Sequence, residues 1–265
     1  MVPTFFCSLG GGMLAVLAMS RIEAAAYRFV RLVGIVAFAV LVGIGVWSVM
    51  DGWMSGGRGT VGGSLSLVSA VGAAAVILLA PVMDSKSSWL RIAAAIGGVC
   101  GIAASCVWSM MFSDVGEGAW LLNLLGRVLS SFLLGSVTVA WLLGHAYLTA
   151  RKLPIAPLRR VSRLFALAVG LRWAYLALCL VLLYFGSWGG GSGWFGSKMS
   201  SLWLILSLRV AVGLVAAGVF AYFVADCVKC RSTQSATGIL YFASVFVYIG
   251  ELSSQHLVNE IGLPL

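Results

Sequence analysis

The chain has 265 residues, of which 61% are hydrophobic and only 9% are charged, and its formal net charge is +9. Water-soluble domains carry about 25% charged residues, so this composition excludes an ordinary soluble protein. We also expect no separate extramembrane domain, because no polar stretch approaches the roughly 50 residues that a domain requires.

Long apolar blocks recur along the whole chain, and about 20 apolar residues in a helix are enough to cross a bilayer. We therefore expect an all-α, polytopic membrane protein that forms one integral membrane domain, residues 1–265. The first block is short and holds three consecutive glycines, but it lacks the basic region and cleavage site of a signal peptide, so we keep it as a span. The eight predicted spans are residues 4–19, 29–50, 63–83, 89–112, 119–148, 164–187, 200–225 and 237–259.

Basic residues indicate how the spans are oriented. Those outside the spans fall almost entirely into alternate loops, and the positive-inside rule assigns these loops to the cytoplasm. Both termini are then expected on the outer side, where only Arg58 and Lys198 are basic. The positive charge is thus explained by topology and by contact with anionic lipid headgroups, and no nucleic-acid partner is expected. The cytoplasmic set is Arg21, Arg28, Arg31, Lys86, Arg91, Arg151, Lys152, Arg159, Arg160, Arg163, Lys229 and Arg231.

The two halves of the chain differ in their intramembrane charge. Residues 1–115 hold four spans without a deep charge and are rich in small residues, as in IAAAIGGVCGIAAS at 92–105. Small residues let helices pack closely in lipid, so we predict a packing half. Residues 116–265 form a polar half, because a charge near the bilayer centre costs about 2.5–3.5 kcal/mol and usually faces a bundle interior or a cavity. Its intramembrane charges are Arg127, Arg172, Arg209 and Glu251.

Counting helical rise from the predicted span ends gives the depth of each charge. Arg127, Arg209 and Glu251 each lie about 12–13 Å from the outer surface, whereas Arg172 lies about 12 Å from the inner surface. We therefore predict that Arg127 or Arg209, or both, neutralise Glu251, and that Arg172 belongs to a second, cytoplasmic level.

Further polar residues share a helix face with these charges when successive residues are placed 100° apart around the helix. His256 points about 140° away from Glu251, so the two need not serve one site. The fifth span has a polar stripe of Asn123, Arg127, Ser131, Thr138 and His145. The eighth span has Ser244, Glu251 and Gln255 on one face, with Tyr241 and Tyr248 at its edge.

This constellation suits an amphipathic ligand such as a quinone. Glu251 would accept the protons of a quinol, and His145 would pass them toward the cytoplasmic side because its ordinary pKa is close to neutral. The ligand-binding residues would be Arg127, Arg172, Arg209, Gln255 and Tyr248. The alternative without a ligand is a buried ion pair that only fixes the register of the helices.

Metal chemistry is not expected from this chain. His145 and His256 lie at opposite ends of their spans, too far apart to hold one haem iron between them, so haem is a weaker alternative than quinone. Cys227 and Cys230 form a single CxxC without the second pair that a zinc site usually needs, and we expect reduced thiols there.

Eight spans, outward termini and charges confined to one four-helix half resemble the quinol-interacting anchor subunits of the polysulfide-reductase type. The resemblance implies an anchor subunit of a larger electron-transfer complex in a bacterial-type inner membrane, with membrane or periplasmic redox subunits as partners. Two other functions stay open. The first is a small-solute or ion transporter, although no repeat and no mid-span proline supports it. The second is a structural scaffold without a ligand.

Overall fold

The computed structural model describes residues 2–20, 27–54, 60–81, 88–112, 120–149, 154–184 and 202–261. These residues form helices joined by turns, and the described part of the chain contains no strand. Eight of the helices are long and apolar enough to cross a membrane, as predicted. They are α1 (Val2–Ser20), α2 (Tyr27–Met54), α3 (Thr60–Leu79), α4 (Ser88–Phe112), α5 (Trp120–Thr149), α6 (Ala156–Tyr184), α7 (Leu202–Lys229) and α8 (Thr233–Ile261).

The largest difference from the predicted spans is the start of α6. The prediction began this span at residue 164, but the helix begins at Ala156 and places Pro157 in its first turn. Proline is tolerated there because the first helical N–H groups have no intrahelical partner. Arg159, Arg160 and Arg163 therefore lie in the helix instead of a loop. Six residues used for the orientation, namely Arg21, Arg58, Lys86, Arg151, Lys152 and Lys198, lie outside the described residues, as does the whole glycine-rich segment 187–200.

Helices α1 and α5 form the centre of the bundle. In each of them 72% of the most apolar stretch is buried, against 28–44% in the other six. Helix α1 packs against α2, α4 and α5, and α5 packs also against α6 and α8. The contact between α1 and α5 therefore joins the first four helices to the last four.

Glycine allows α1 and α5 to approach closely. A Cβ atom on Gly12 would lie 1.9 Å from the carbonyl oxygen of Ser131, and one on Gly135 would lie 2.1 Å from the carbonyl carbon of Gly12. The expected close packing is also present in the segment 92–105, where Gly97 faces Gly72 and Gly101 faces Gly11. Because the obstructing atoms are backbone atoms, no side-chain rotation could relieve a larger residue at these crossings.

This geometry predicts opposite effects of alanine at two helical glycines. Gly135→Ala should lower the free energy of unfolding by about 1–3 kcal/mol, the usual cost of overpacking a filled interior. Gly170→Ala is the matched control, since nothing lies within 4 Å of the Cβ position there. It should be neutral or stabilise the helix by up to about 1 kcal/mol. Thermal melting of the purified variants in one detergent would compare them, and equal melting temperatures would contradict the close crossing.

Candidate functional site: a buried ionic cluster

Glu251 of α8 is fully buried, and its carboxylate lies at the centre of a polar cluster. Both oxygens accept two hydrogen bonds, and the donors come from α5, α6 and α7. An ionised carboxylate only accepts hydrogen bonds, so four donors match the charged form of this group. Glu251 thereby joins all four helices of the second half of the chain.

Arg172 of α6 makes the bidentate contact. Its Nε donates to Oε1 of Glu251 at 3.1 Å, and its Nη2 donates to Oε2 at 2.9 Å. The same Nη2 lies 3.2 Å from the hydroxyl of Ser254, and the guanidinium lies 5.3 Å from the ring centre of Tyr175. Paired N–H donors that match the two carboxylate oxygens make this the strongest type of ion pair in proteins.

Arg209 of α7 donates from Nη1 to Oε1 of Glu251 at 2.9 Å. It belongs to a π-helical segment, Leu208–Ala216, within the longer helix. Such segments are rare and occur frequently at functional sites. One turn further along, Gly213 meets Gly250 of α8 so closely that a Cβ on either residue would lie 2.1–2.5 Å from the Cα of the other. This crossing brings Arg209 within reach of the carboxylate.

Ser130 of α5 donates the fourth hydrogen bond, to Oε2 of Glu251. The contact also fixes the register between α5 and α8. The hydroxyls of Thr138 and Tyr248 lie 2.8 Å apart. Residue numbers therefore increase along α5 in the direction in which they decrease along α8. The two helices are therefore antiparallel, and Arg127 lies about one turn beyond Ser130 toward the C-terminal end of α8.

Arg127 and Gln255 are buried in the cluster without completing their hydrogen bonds. Arg127 is 1% exposed, and its Nε and Nη2 have no partner among the described residues. Gln255 is 2% exposed, and both atoms of its amide lack a partner there. Arg172 and Arg209 each retain one further unpartnered nitrogen, Nη1 and Nε respectively. The cluster thus has hydrogen-bonding capacity that the described residues do not use.

A second group of polar contacts continues between α5 and α8 toward the start of α8. The hydroxyl of Tyr248 accepts a hydrogen bond from Nε1 of Trp141 at 3.3 Å in addition to its contact with Thr138. Further along, the hydroxyl of Tyr241 and Nδ1 of His145 share a hydrogen bond of 3.0 Å, and both side chains are exposed. His145 is 15 residues from Ser130, or about 22 Å along the helix.

The predicted pairing of Glu251 is confirmed for Arg209 and corrected for the other two arginines. Arg127 is buried but forms no ion pair with Glu251. Arg172, predicted at a separate cytoplasmic level, instead forms the bidentate ion pair with Glu251. The predicted depth of Arg172 assumes that its helix begins at residue 164. The helix begins at Ala156 instead, so Arg172 lies about 12 Å further from the helix start than predicted.

Three contact residues of the cluster were not selected from the sequence, namely Ser130, Ser254 and Tyr175. The stripe on α5 favoured Ser131, whose hydroxyl instead donates to the backbone oxygen of Arg127. Serine hydroxyls commonly bond the preceding helical turn, so a serine's position on one helix does not reveal its role. Ser254 could have been found from the sequence, because it lies three residues after Glu251 and therefore on the same face of the helix.

Metal binding has no support among the described residues, where no three His, Cys, Asp or Glu side chains come together. Cys227 is half-buried and Cys230 is exposed, and both are free thiols. His145 is occupied by its contact with Tyr241 and lies far from Glu251 along the bundle.

No protein-family model, no curated protein and no solved structure matches this chain.

The cluster predicts that Glu251→Gln is strongly destabilising. The amide keeps the shape of the carboxylate but removes its charge, and it leaves two buried guanidinium groups without a counter-charge. Removing one partner of a buried ion pair costs about 3–5 kcal/mol. Asp226→Asn is the matched control, since Asp226 is exposed on α7, and it should change stability by no more than about 0.5 kcal/mol. Denaturant unfolding in detergent would measure both, and a Glu251→Gln protein as stable as its parent would refute the assignment.

Proposed function

We propose that this protein crosses a bacterial-type inner membrane eight times, with both termini outside, and transports a small solute that binds at the cluster around Glu251. The membrane part of the proposal rests on the eight apolar helices and on the uneven distribution of basic residues. The transport part rests on the polar groups enclosed between α5, α6, α7 and α8.

The unused hydrogen-bonding capacity of the cluster carries this proposal. An ion pair that only fixed helix register would be expected to satisfy its own polar atoms, because an unsatisfied buried group costs about 1–3 kcal/mol. Here Arg127, Arg172, Arg209 and Gln255 together retain six such atoms. A bound solute would supply the missing partners, which favours a ligand site over a scaffold without a ligand.

The local structure around the cluster also fits a transport role. Transporters form their solute sites near the membrane centre, where a helix departs from regular geometry and frees backbone groups. Arg209 lies in the π-helical segment Leu208–Ala216. The polar contacts of Tyr248 and Tyr241 extend from the cluster toward the predicted cytoplasmic end of the bundle, as a passage for a polar solute requires.

The second candidate is the anchor subunit of an electron-transfer complex with a quinone site. The spare donors of Arg172 and Arg209 favour it, since they could bind the carbonyl oxygens of a quinone. Two features favour a compact solute instead. Glu251 already accepts four hydrogen bonds, which leaves it poorly placed to take a proton, and the residues of the cluster are at most 3% exposed, whereas a quinone ring enters from the lipid.

Reconstituted vesicles would test transport directly. Purified protein in liposomes should swell in iso-osmotic solutions of at least one small solute, and a panel of potassium chloride, potassium nitrate, potassium acetate, glycine and glycerol covers the main classes. Valinomycin would carry the potassium ions so that charge balance does not limit entry of the anions. Arg209→Gln should reduce the swelling rate at least about tenfold, because it removes one charged hydrogen bond from the site, whereas Asp226→Asn should not change it.

Swelling equal to that of empty liposomes for every solute would contradict transport. If the protein then also carried bound quinone or copurified with cytochromes from its native membrane, the electron-transfer function would replace it. Absence of both would favour the scaffold.

A further inference from the structure

The cluster around Glu251 carries an excess of positive charge. Three buried guanidinium groups, from Arg127, Arg172 and Arg209, accompany a single buried carboxylate, so that two positive charges have no counter-charge among the described residues. Glu251 is the only acidic residue that is buried in the described part of the chain. Buried cations are expensive unless a negative group accompanies them. The charge balance therefore favours a further negative group near these arginines.

The free donors show where this group would lie. Ser130 meets Glu251, so the antiparallel register places Arg127, one turn away, opposite residues 254 and 255 of α8. Arg172 reaches this same level, since its Nη2 contacts the hydroxyl of Ser254. Arg127, Arg172 and Gln255 each retain an unpartnered donor among the described residues, and this register places the three residues within about one helical turn of Glu251, on the side toward the C-terminal end of α8.

We infer that a compact anion binds at this position, held by Arg127, by Nη1 of Arg172 and by the amide of Gln255. This inference rests on the proposed function and names the class of its solute. Guanidinium groups bind oxyanions through paired N–H donors, and an amide adds one neutral donor. The anionic group would belong either to a free inorganic or carboxylate ion or to the phosphate of a lipid headgroup.

Thermal melting with single anions tests the inference without measuring transport. The protein, purified in neutral detergent and a zwitterionic buffer, should gain several degrees of melting temperature on addition of sodium nitrate or sodium chloride at millimolar concentration. Sodium gluconate at equal ionic strength controls for screening, because this anion is too large for a compact site. Arg127→Gln should weaken the anion effect about tenfold, and Arg163→Gln, which changes an exposed arginine of α6, should leave it unchanged.

Gln255→Glu is the decisive variant, and it does not depend on removing a structural residue. The new carboxylate has the shape of the amide and would itself supply the missing negative charge. The variant should melt at a higher temperature than its parent without added anion, and its melting temperature should no longer respond to nitrate or chloride. A Gln255→Glu protein that is destabilised and still responds to both anions would overturn the inference.

Native mass spectrometry would separate the two sources of the anion. A retained phosphatidylglycerol that is lost in Arg127→Gln would indicate a headgroup phosphate, and its absence together with a nitrate response would indicate a free ion. No response to any anion and no retained anionic lipid would overturn the inference. Anion binding without liposome swelling would refute the proposed transport function but not the anion site. Swelling in glycine or glycerol without any response to anions would refute the anion site but not transport.

Discussion

The buried carboxylate of Glu251 is the interaction on which the second half of this protein depends. It accepts hydrogen bonds from Arg172, Arg209 and Ser130, so a single side chain of α8 connects the three other helices. Apolar side chains cannot select between neighbouring helices in lipid as they do in water, because lipid is equally apolar. A directional, charged contact therefore specifies which helices meet and at what register, in addition to any role in binding.

Glycine provides the geometry that this interaction requires. The crossing of Gly213 and Gly250 brings α7 against α8 one residue before Glu251, and the crossing of Gly12 and Gly135 brings α1 against α5. The π-helical segment that contains Arg209 is adjacent to the first crossing. The polar cluster and the close backbone contacts thus support each other: the glycines set the distance between the helices, and the ion pairs set their register.

Hydropathy was sufficient to predict the eight helices, and depth along a helix was sufficient to place Arg209 at the level of Glu251, although it placed Arg127 there equally and only Arg209 of these two pairs with the carboxylate. Two parts of the cluster could not be derived in this way. The predicted depth of Arg172 is wrong because the predicted span begins at residue 164, whereas the helix begins at Ala156 with Pro157 in its first turn. Ser130 was missed because a single helix shows which residues share a face but not which neighbouring helix that face meets. The small residues at 92–105 were correctly expected to allow close packing, since that property is local.

A double-mutant cycle between Glu251 and Arg172 tests the central claim most directly. The free energy of unfolding would be measured for Glu251→Gln, for Arg172→Gln and for the double variant in the same detergent. If the two groups form a buried ion pair, the double variant should be more stable than the sum of the single effects implies, by at least about 1 kcal/mol. Additivity to within about 0.5 kcal/mol would show that the two residues do not interact, and it would contradict the account.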